Sequence, residues 1–581
     1  MGHIFPKRTT SALTLAVLGA LVLWASTAHA GGAADPGRAS WTTESSWDIP
    51  GEYVVDFHDH VETPAIRTLL ASLGVTFRAS FLEPSTRIQI VNIPGAVSTV
   101  LAKLRGDARI ENVEPHARVA ALFVPDDPMY DQQWHMSRVG AERAWELSIG
   151  RGVTVAVIDT GIACENFDKF KKATDLADTR CVAGRNFVGK KDHANDDHGH
   201  GTHVAGTIAQ STHNGLGTAG LAFGVRLMPI KVLSADGWGT TTGVADGIRW
   251  AADNGAQVLN LSLGSPRNSK VLQAAIDHAR AQGVVIVAAA GNSGGSVGYP
   301  GGSRGVIGVS ATDSHDQLAW FSSRGKGVDI AAPGVKVLQQ TICDRGLNGC
   351  EIFGEFNGTS MASPHVAGAA ALLVGLGVTD PDAVERYLTS SAKVVDDSDG
   401  GKDKYGAGLL QAGDAASRVV LTQTLTRLLA LALLALLAFH WARKRGKTIS
   451  AGSPGFWISA VTAGAGLLFF APWVMSRHQL WVDVLSRPFG EWDLLIGVSL
   501  HSFLPLANLF VPLVLILVLL RVKGTAPWLA GFTVGTAAYL ASVAILGQLA
   551  TPFGWLVTTI WCTVNAAVCV WLGSLLIADR R

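Results

Sequence analysis

The sequence predicts an α/β fold: a parallel sheet with helices on both faces, preceded by a small α+β unit and followed by an all-α transmembrane bundle. Three observations lead there. Between Val153 and Leu376, short apolar runs alternate with amphipathic helical stretches, the pattern of a sheet buried on both faces. Upstream, residues 52–119 mix two helical repeats with three extended segments. Downstream, residues 419–581 hold only eleven Lys or Arg, four Asp or Glu, and nine of the 17 Trp, a composition suited to lipid with indoles at its interfaces.

Whole-chain composition agrees. Of 581 residues, 48% are hydrophobic and 16% charged, against about 25% charged in ordinary soluble domains. A single soluble globule and a disordered chain are both excluded. The 47 basic and 46 acidic side chains balance, so charge does not point to nucleic acid. Six Cys are too few for a disulfide-built scaffold.

At the amino end, Lys7 and Arg8 precede an apolar run over residues 13–24, and Ala28-His29-Ala30 has the small-x-small pattern of a signal-peptidase site. Residues 1–30 are therefore expected to be a secretion signal. In the small unit, residues 52–57 alternate as a strand, and residues 64–73 set Ile66, Leu69, Leu70 and Leu73 on one helical face. Residues 87–93 read as a second strand, 97–104 as a second helix and 110–119 as a last extended segment. A new composition begins at Val124-Pro125-Asp126-Asp127-Pro128. Beyond it, strands are expected at 153–158, 227–232, 257–261, 284–288 and 306–311, and helices at 203–210, 242–254, 271–281 and 360–376.

Five apolar runs close the chain, at residues 425–441, 456–475, 494–520, 526–547 and 553–577. Each approaches the ~20 residues that cross a bilayer core; the count is four if the first only lies at the interface. With five, Arg443, Lys444, Arg445, Lys447, Arg521, Lys523, Arg580 and Arg581 share one side, against Arg477 and Arg487 on the other. The positive-inside rule puts the carboxyl end in the cytoplasm and the preceding domains outside. The secretion signal sends them the same way.

Three blocks carry chemistry. Residues 155–161 (VAVIDTG) are an apolar strand ending on Asp159. Residues 198–206 (HGHGTHVAG) are a His- and Gly-rich turn opening a helix, with His200 before the GTHVAG run. Residues 357–368 (NGTSMASPHVAG) put Ser360 at a Gly-Thr turn that also opens a helix. A Ser nucleophile needs a base to take its proton, and the base needs a carboxylate to fix its tautomer. In a fourth block, 284–294 (VVIVAAAGNSG), Asn292 follows a buried strand and can donate to an oxyanion. His198 and His203 read as structural, Ser363 as packing, and Asp196-Asp197 as a solvated loop.

With these blocks, residues 123–418 resemble the subtilisin-like serine peptidases, the thermitase-like branch most closely. VLNLSLG (258–264), FSSRG (321–325), IAAPG (330–334) and YGAGLLQA (405–412) extend the resemblance. It implies a catalytic set of Asp159, His200, Ser360 and Asn292, in the order Asp, His, Ser that marks subtilisins. It implies that residues 31–122 are an inhibitory propeptide that the chain itself cuts off. The membrane tail, 419–581, lies outside it. Substrate is expected to pair with Gly237, Trp238 and Gly239 on one side and Ser262, Leu263 and Gly264 on the other, as an added strand. Ala290 and Gly291 would help to wall the first pocket. Ser293 brings no charge there, so an apolar P1 residue is favoured. Trp238 either leans over the groove or packs on the solvent side.

The same resemblance implies a structural Ca²⁺ on residues 211–218 (STHNGLGT), with Ser211, Asn214, Leu216 and Thr218 joined by Asp127 and Asp168. The processing cut is expected between Leu122 and Phe123, just before the Pro125–Pro128 element. Cys164 and Cys181 bracket one loop, Cys343 and Cys350 another, and outside the cytoplasm both local pairs can form disulfides; cross-pairing of the four stays open.

The expectation is thus a zymogen of a serine endopeptidase, anchored in the cytoplasmic membrane with the peptidase outside. Its partners are protein or peptide substrates, its own propeptide, lipid, and a membrane protein met through the spans. The alternative is a transporter or sensor whose peptidase domain is an accessory processing module.

Overall fold

A computed structural model describes residues 48–80, 86–93, 97–117, 123–189, 193–342, 352–396, 398–446, 453–498, 501 and 509–577. The expected signal peptide, Leu122, Cys343 and Cys350 lie outside the described residues. The chain divides into two compact units, Met1–Ala121 and Leu122–Arg581.

In the first unit, strands β1 (Asp48–Phe57), β2 (Thr76–Ala79), β3 (Ile88–Asn92) and β4 (Ile110–Ala117) form an antiparallel sheet in the order β2-β3-β1-β4. Helices α1 (Thr63–Ser72) and α2 (Val97–Arg105) bury Ile66, Leu70, Leu101 and Leu104 against Val55, Phe57 and Val91. Strand β2 was not expected: it is four residues long and mostly exposed, so it carries no apolar alternation.

The second unit is built on a parallel sheet in the order β12-β11-β10-β9-β5-β8-β6, with β7 also paired to β8. The strands are β5 (Thr154–Asp159), β6 (Arg180–Cys181), β7 (Arg185–Asn186), β8 (Arg226–Lys231), β9 (Val258–Leu261), β10 (Val285–Ala289), β11 (Ile307–Thr312) and β12 (Ile330–Pro333). Around them lie α3 (Ala141–Leu147), α4 (His200–Ala209), α5 (Thr241–Asp253), α6 (Lys270–Ala281) and, beyond a hairpin of β13 (Val337–Gln340) and β14 (Phe353–Phe356), α7 (Thr359–Gly375). Every residue of β5 is buried. Val155 and Val157 join the layer containing Val366 and Ala370 of α7, while Ala156 and Ile158 join Ile248 of α5 and Ile276 of α6. Such a fully buried side chain is worth about 1.5–3 kcal/mol, which explains the continuous apolar strand runs in the sequence.

Function-bearing residues gather at the carboxyl ends of these strands, where α/β sheets bind ligands. Asp159 ends β5, Asn292 follows β10, and α4 and α7 start on either side. Helix α4 begins at His200 rather than at His203. The cause is Asp196, whose carboxylate accepts from the N–H groups of His198, Gly199 and Thr202 and so starts the helix three residues early.

Among the described residues three helices are long and apolar enough to cross a membrane: α8 (Ala412–Lys444), α11 (Ala526–Leu546) and α12 (Gly554–Leu576). The run 456–475 is not one helix. Helix α9 (Pro454–Gly464) stops at Gly464, and Gly466 takes a φ of 100° where a Cβ would meet the Ser486 carbonyl at 2.4 Å. In the run 494–520 the described helix is α10 (Phe510–Leu519) alone. Helix α9 packs on α11 through small residues: a Cβ on Gly531 would lie 2.0 Å from the Phe456 carbonyl, the close approach that glycine permits between membrane helices.

The composition break at 418/419 falls inside α8, because the first turns of this helix bury Ala415, Ala416 and Val419 in the peptidase core. Further contacts tie the two regions. The Arg477 N–H donates to the Glu146 carbonyl (2.8 Å), Arg151 pairs with Asp483 (3.2 Å), Gln423 donates to the Leu376 carbonyl (3.1 Å), and the Thr379 N–H donates to the Gln548 carbonyl (2.8 Å). All lie away from the strands' carboxyl ends. Helix α7 links the two: Ser360 is near its start, and Gly377, just past its end, lies where an added Cβ would sit 3.3 Å from Glu491 and 3.4 Å from Leu494. At 1.5 Å per residue, Ser360 stands about 22 Å from Gly375.

Candidate active site

Asp159 is fully buried, and its Oδ1 lies 2.7 Å from His200 Nδ1. The Thr160 N–H donates to the same oxygen at 2.7 Å. Burial disfavours a charged His200 ring, but the Asp159 carboxylate outweighs it and holds the His200 pKa above the ordinary histidine value.

Asp196 is an organiser and not the solvated loop residue expected. It is buried and also accepts from the hydroxyls of Thr160 (2.8 Å) and Thr202 (2.7 Å). It thereby joins the end of β5 to the start of α4, the two elements that carry Asp159 and His200. Its neighbour Asp197 pairs at 2.6 Å with the buried ammonium of Lys231, which also donates to the carbonyls of Thr160 (2.6 Å) and Leu233 (2.8 Å).

Ser360 is the second residue of α7, so its N–H is one of the unsatisfied donors of a helix start. Its hydroxyl donates to the Ser262 carbonyl (3.1 Å), and the Ser262 hydroxyl donates back to the Ser360 carbonyl (2.7 Å). Asn260 donates to the Ser262 hydroxyl (2.9 Å) and accepts from Ser363 (2.7 Å). Ser363, expected only to pack, completes this chain of hydrogen bonds. A turn about χ1 frees the Ser360 hydroxyl from Ser262; catalytic hydrogen bonds commonly tighten only when substrate binds.

Asn292 stands beside α7. Its amide oxygen accepts from the N–H and the hydroxyl of Thr359, both at 2.9 Å, and the Thr359 hydroxyl accepts from the Gly291 N–H at 3.1 Å. This leaves the NH₂ to face Gly358, whose φ is 153° and where a Cβ would sit 3.3 Å from Nδ2. Thr359 was not singled out in the sequence; its place directly before Ser360 was the only signal.

Ser262, Leu263 and Gly264 continue β9 outside the sheet's strand pairing. Opposite, Asp236 and Gly237 make a tight turn, closed by Ser234 N–H to Trp238 carbonyl (2.8 Å), and Gly239 bridges to Leu233. The extended part of this arm is thus Trp238–Gly239, shorter than expected. Trp238 is 80% exposed, which removes the packing role. Ala290 is buried beside Gly291, and Ser293 shares a hydrogen bond with Ser323 (3.1 Å).

The loop 211–218 gathers around two carboxylates. Asp127 accepts from the N–H groups of His213 (2.9 Å) and Asn214 (3.2 Å). The second carboxylate is Asp175, not Asp168. Asp175 accepts from the Asn214 amide and the Thr218 N–H, both at 2.9 Å, and its carbonyl accepts from Ser211 (3.0 Å). Leu216 is exposed at the loop tip, its N–H on the Asn214 side-chain oxygen (2.9 Å). Asp168 is exposed in the turn between Phe167 and Phe170. The expected Asp168 falls instead in an inserted loop that precedes Asp175 and is closed by the Cys164–Cys181 disulfide. The available signal was Leu176: Asp175 adjoins a buried apolar residue, Asp168 a lysine. Burial pushes the Asp175 carboxyl up to about 7, and the negative charge of Asp127 adds to this. Among the described residues no group of three or more His, Cys, Asp or Glu could hold a metal. The carboxylates of Asp127 and Asp175 nevertheless meet at this loop around the Asn214 amide, and hard oxygen donors of this kind suit Ca²⁺.

A buried carboxylate orienting an imidazole, near a helix-borne serine at one sheet edge, is the equipment of a serine peptidase. The model of the subtilase family matches residues 150–408. Thermophilic serine proteinase of Bacillus sp. (strain AK1) is 35% identical over 332 residues, covering 57% of this chain and 79% of its own. Subtilisin Savinase of Lederbergia lenta is 42% identical over 287 residues, 49% of this chain and 98% of its own. Alkaline elastase YaB of Bacillus sp. (strain YaB) is 40% identical over 316 residues, 54% and 75% respectively. The chain belongs to the subtilase family and is a subtilisin-like serine endopeptidase that acts on protein substrates.

Proposed function

We propose that Ser360 is the nucleophile, His200 its general base, and Asp159 the group that orients His200 and steadies its charge. The observation that carries this is the 2.7 Å contact between buried Asp159 and His200, at the same sheet edge as the start of α7. His200 takes the Ser360 proton as Oγ attacks the scissile carbonyl. The oxyanion is held by Asn292 Nδ2 and the Ser360 N–H. His200 then gives its proton to the leaving amine, and water repeats the sequence on the acyl-enzyme.

Substrate lies as an added strand along Ser262, Leu263 and Gly264, with Trp238 and Gly239 on the other side. An uncharged first pocket beside Ala290 and Gly291 favours an apolar P1 residue. The chain is made as a zymogen and cuts itself between Leu122 and Phe123. The helical region anchors it in the cytoplasmic membrane by crossing it five times, with α8, α11 and α12 as its long spans, the peptidase outside and the carboxyl end inside. Ca²⁺ is held by Asp127, Asp175 and Asn214, with carbonyls from Ser211, Leu216 and Thr218. It would supply the positive charge that the two carboxylates lack.

The test is Ser360→Ala. This change abolishes peptide hydrolysis and leaves the full precursor uncut in a host without other subtilases. Normal maturation of the variant overturns the assignment.

A further inference from the structure

Phe123 opens the peptidase with surroundings that a mere linker does not need. Its N–H donates to the Glu146 carboxylate at 2.6 Å. Its ring meets four others: Trp145 (5.9 Å), Phe223 (6.0 Å), His213 (5.2 Å) and His478 (4.6 Å). These come from three separate parts of the chain. Trp145 and Glu146 lie on α3, His213 and Phe223 on and after the 211–218 loop, and His478 in the helical region. The segment carrying His478 grips the same helix: Arg477 N–H donates to the Glu146 carbonyl (2.8 Å), and Arg151 donates to the His478 carbonyl (2.9 Å).

We propose that this is a receptor for the chain's own new amino terminus. Once the Leu122–Phe123 bond is cut, the Phe123 α-ammonium pairs with Glu146, and its ring fastens α3, the 211–218 loop and the helical region together. The inference rests on the cut site given above.

The chemistry of cutting builds the ligand. Hydrolysis breaks the Leu122 C–Phe123 N bond; water's hydroxyl ends on the Leu122 carboxyl and its hydrogen on the Phe123 nitrogen. That amine, with an ordinary pKa of about 7.7–8.0, takes a further proton from solvent at neutral pH. The uncut amide offers Glu146 one donor and no charge. The ammonium offers three donors and a full charge, and ionised hydrogen bonds are roughly twice as strong as neutral ones. The bond has to lie at Ser360 to be cut, so Phe123 settles on Glu146 at full strength only once the cut has freed it.

The experiment uses the full chain in detergent, with and without Glu146→Gln, as the matured enzyme and as the uncut Ser360→Ala precursor. N-terminal sequencing comes first. A start at Phe123 is expected; any other start overturns the cut site and the receptor with it. With that start established, Glu146→Gln lowers the melting temperature of the matured chain by several degrees and that of the precursor by less than half as much. Equal losses overturn the receptor while leaving the cut site standing. A second readout needs no variant: at pH 6.5 an acylating reagent modifies the Phe123 amine of the folded matured chain about tenfold more slowly than in the unfolded chain, since a paired ammonium is a poor nucleophile. Equal rates overturn the receptor as well.

Discussion

Thr359 fixes Asn292 through both of its donors: the N–H and the hydroxyl each lie 2.9 Å from the Asn292 amide oxygen. An amide so held cannot flip without losing two hydrogen bonds. In the proposed mechanism this presets its NH₂ for the oxyanion before the reaction step.

Asn292→Leu should lower kcat by roughly 10²–10³ with little change in KM, the size known for the equivalent amide of subtilisin itself. Thr359→Val removes one of the two bonds and should lower kcat about fivefold, as one hydrogen bond of ~1 kcal/mol does. Steady-state kinetics on a peptide substrate decide; an effect confined to KM would tell against the role.

His200 must be neutral to accept the Ser360 proton, and Asp159 raises its pKa. The acid limb of kcat/KM should accordingly lie above the ordinary histidine value of about 6.5. Asp159→Asn should move the limb to lower pH and cut the rate by roughly 10⁴, since the wrong tautomer then prevails. A pH profile that does not move between the two proteins would disprove the pairing.

EGTA should lower the melting temperature of the Ser360→Ala chain, and Asp175→Asn should abolish that shift while Asp168→Asn leaves it intact. The pH sense follows from Asp175. Its folded pKa is raised to about 7 in the absence of metal, so the metal-free fold keeps this contribution below the unfolded value of about 3.9 and loses it as pH rises through 7. Chelation should therefore cost more at pH 8 than at pH 5. Calorimetry at both pH values checks it.

Burial holds His203 at about 3 and His365 at about 4. Both pKa values fall when the chain folds, so between about 6.5 and these values the unfolded state binds more protons. Stability should be complete above about pH 6.5 and drop as the pH falls toward 4, by up to ~1.4 kcal/mol per pH unit for each ring. Melting curves of the calcium-loaded Ser360→Ala chain from pH 7 to 4 should show this; His365→Gln should flatten the slope.

A reporter active only outside the membrane should be silent when fused after Gly446 and active when fused after Val482. The contact of Arg477 with Glu146 supports the second half, since it seats this segment on the peptidase. The reverse pattern would invert the orientation.

Asp159, His200 and Ser360 were legible because each ends or begins an element, and apolar periodicity marks elements well. What escaped were relationships that periodicity does not encode. Asp196 looks like half of a charged dipeptide, and only the fold shows its carboxylate accepting five hydrogen bonds. Asp175 was hidden by the inserted loop, which shifted the spacing while the Cys164–Cys181 disulfide kept the geometry. Hydropathy saw 456–475 as one apolar run, yet it averages over the Gly464–Gly466 break that ends α9.

Helix α7 ties Ser360 at one end to the layer beside Glu491 and Leu494 at the other. The reactive hydroxyl is thereby carried about 22 Å from the contact that seats the peptidase on its helices. Some seven extended residues, at about 3.3 Å each, would be needed to span the same distance from Gly377 to Ser360. On the proposed anchoring, the length of a tethered substrate's stalk would count before any of its side chains is read.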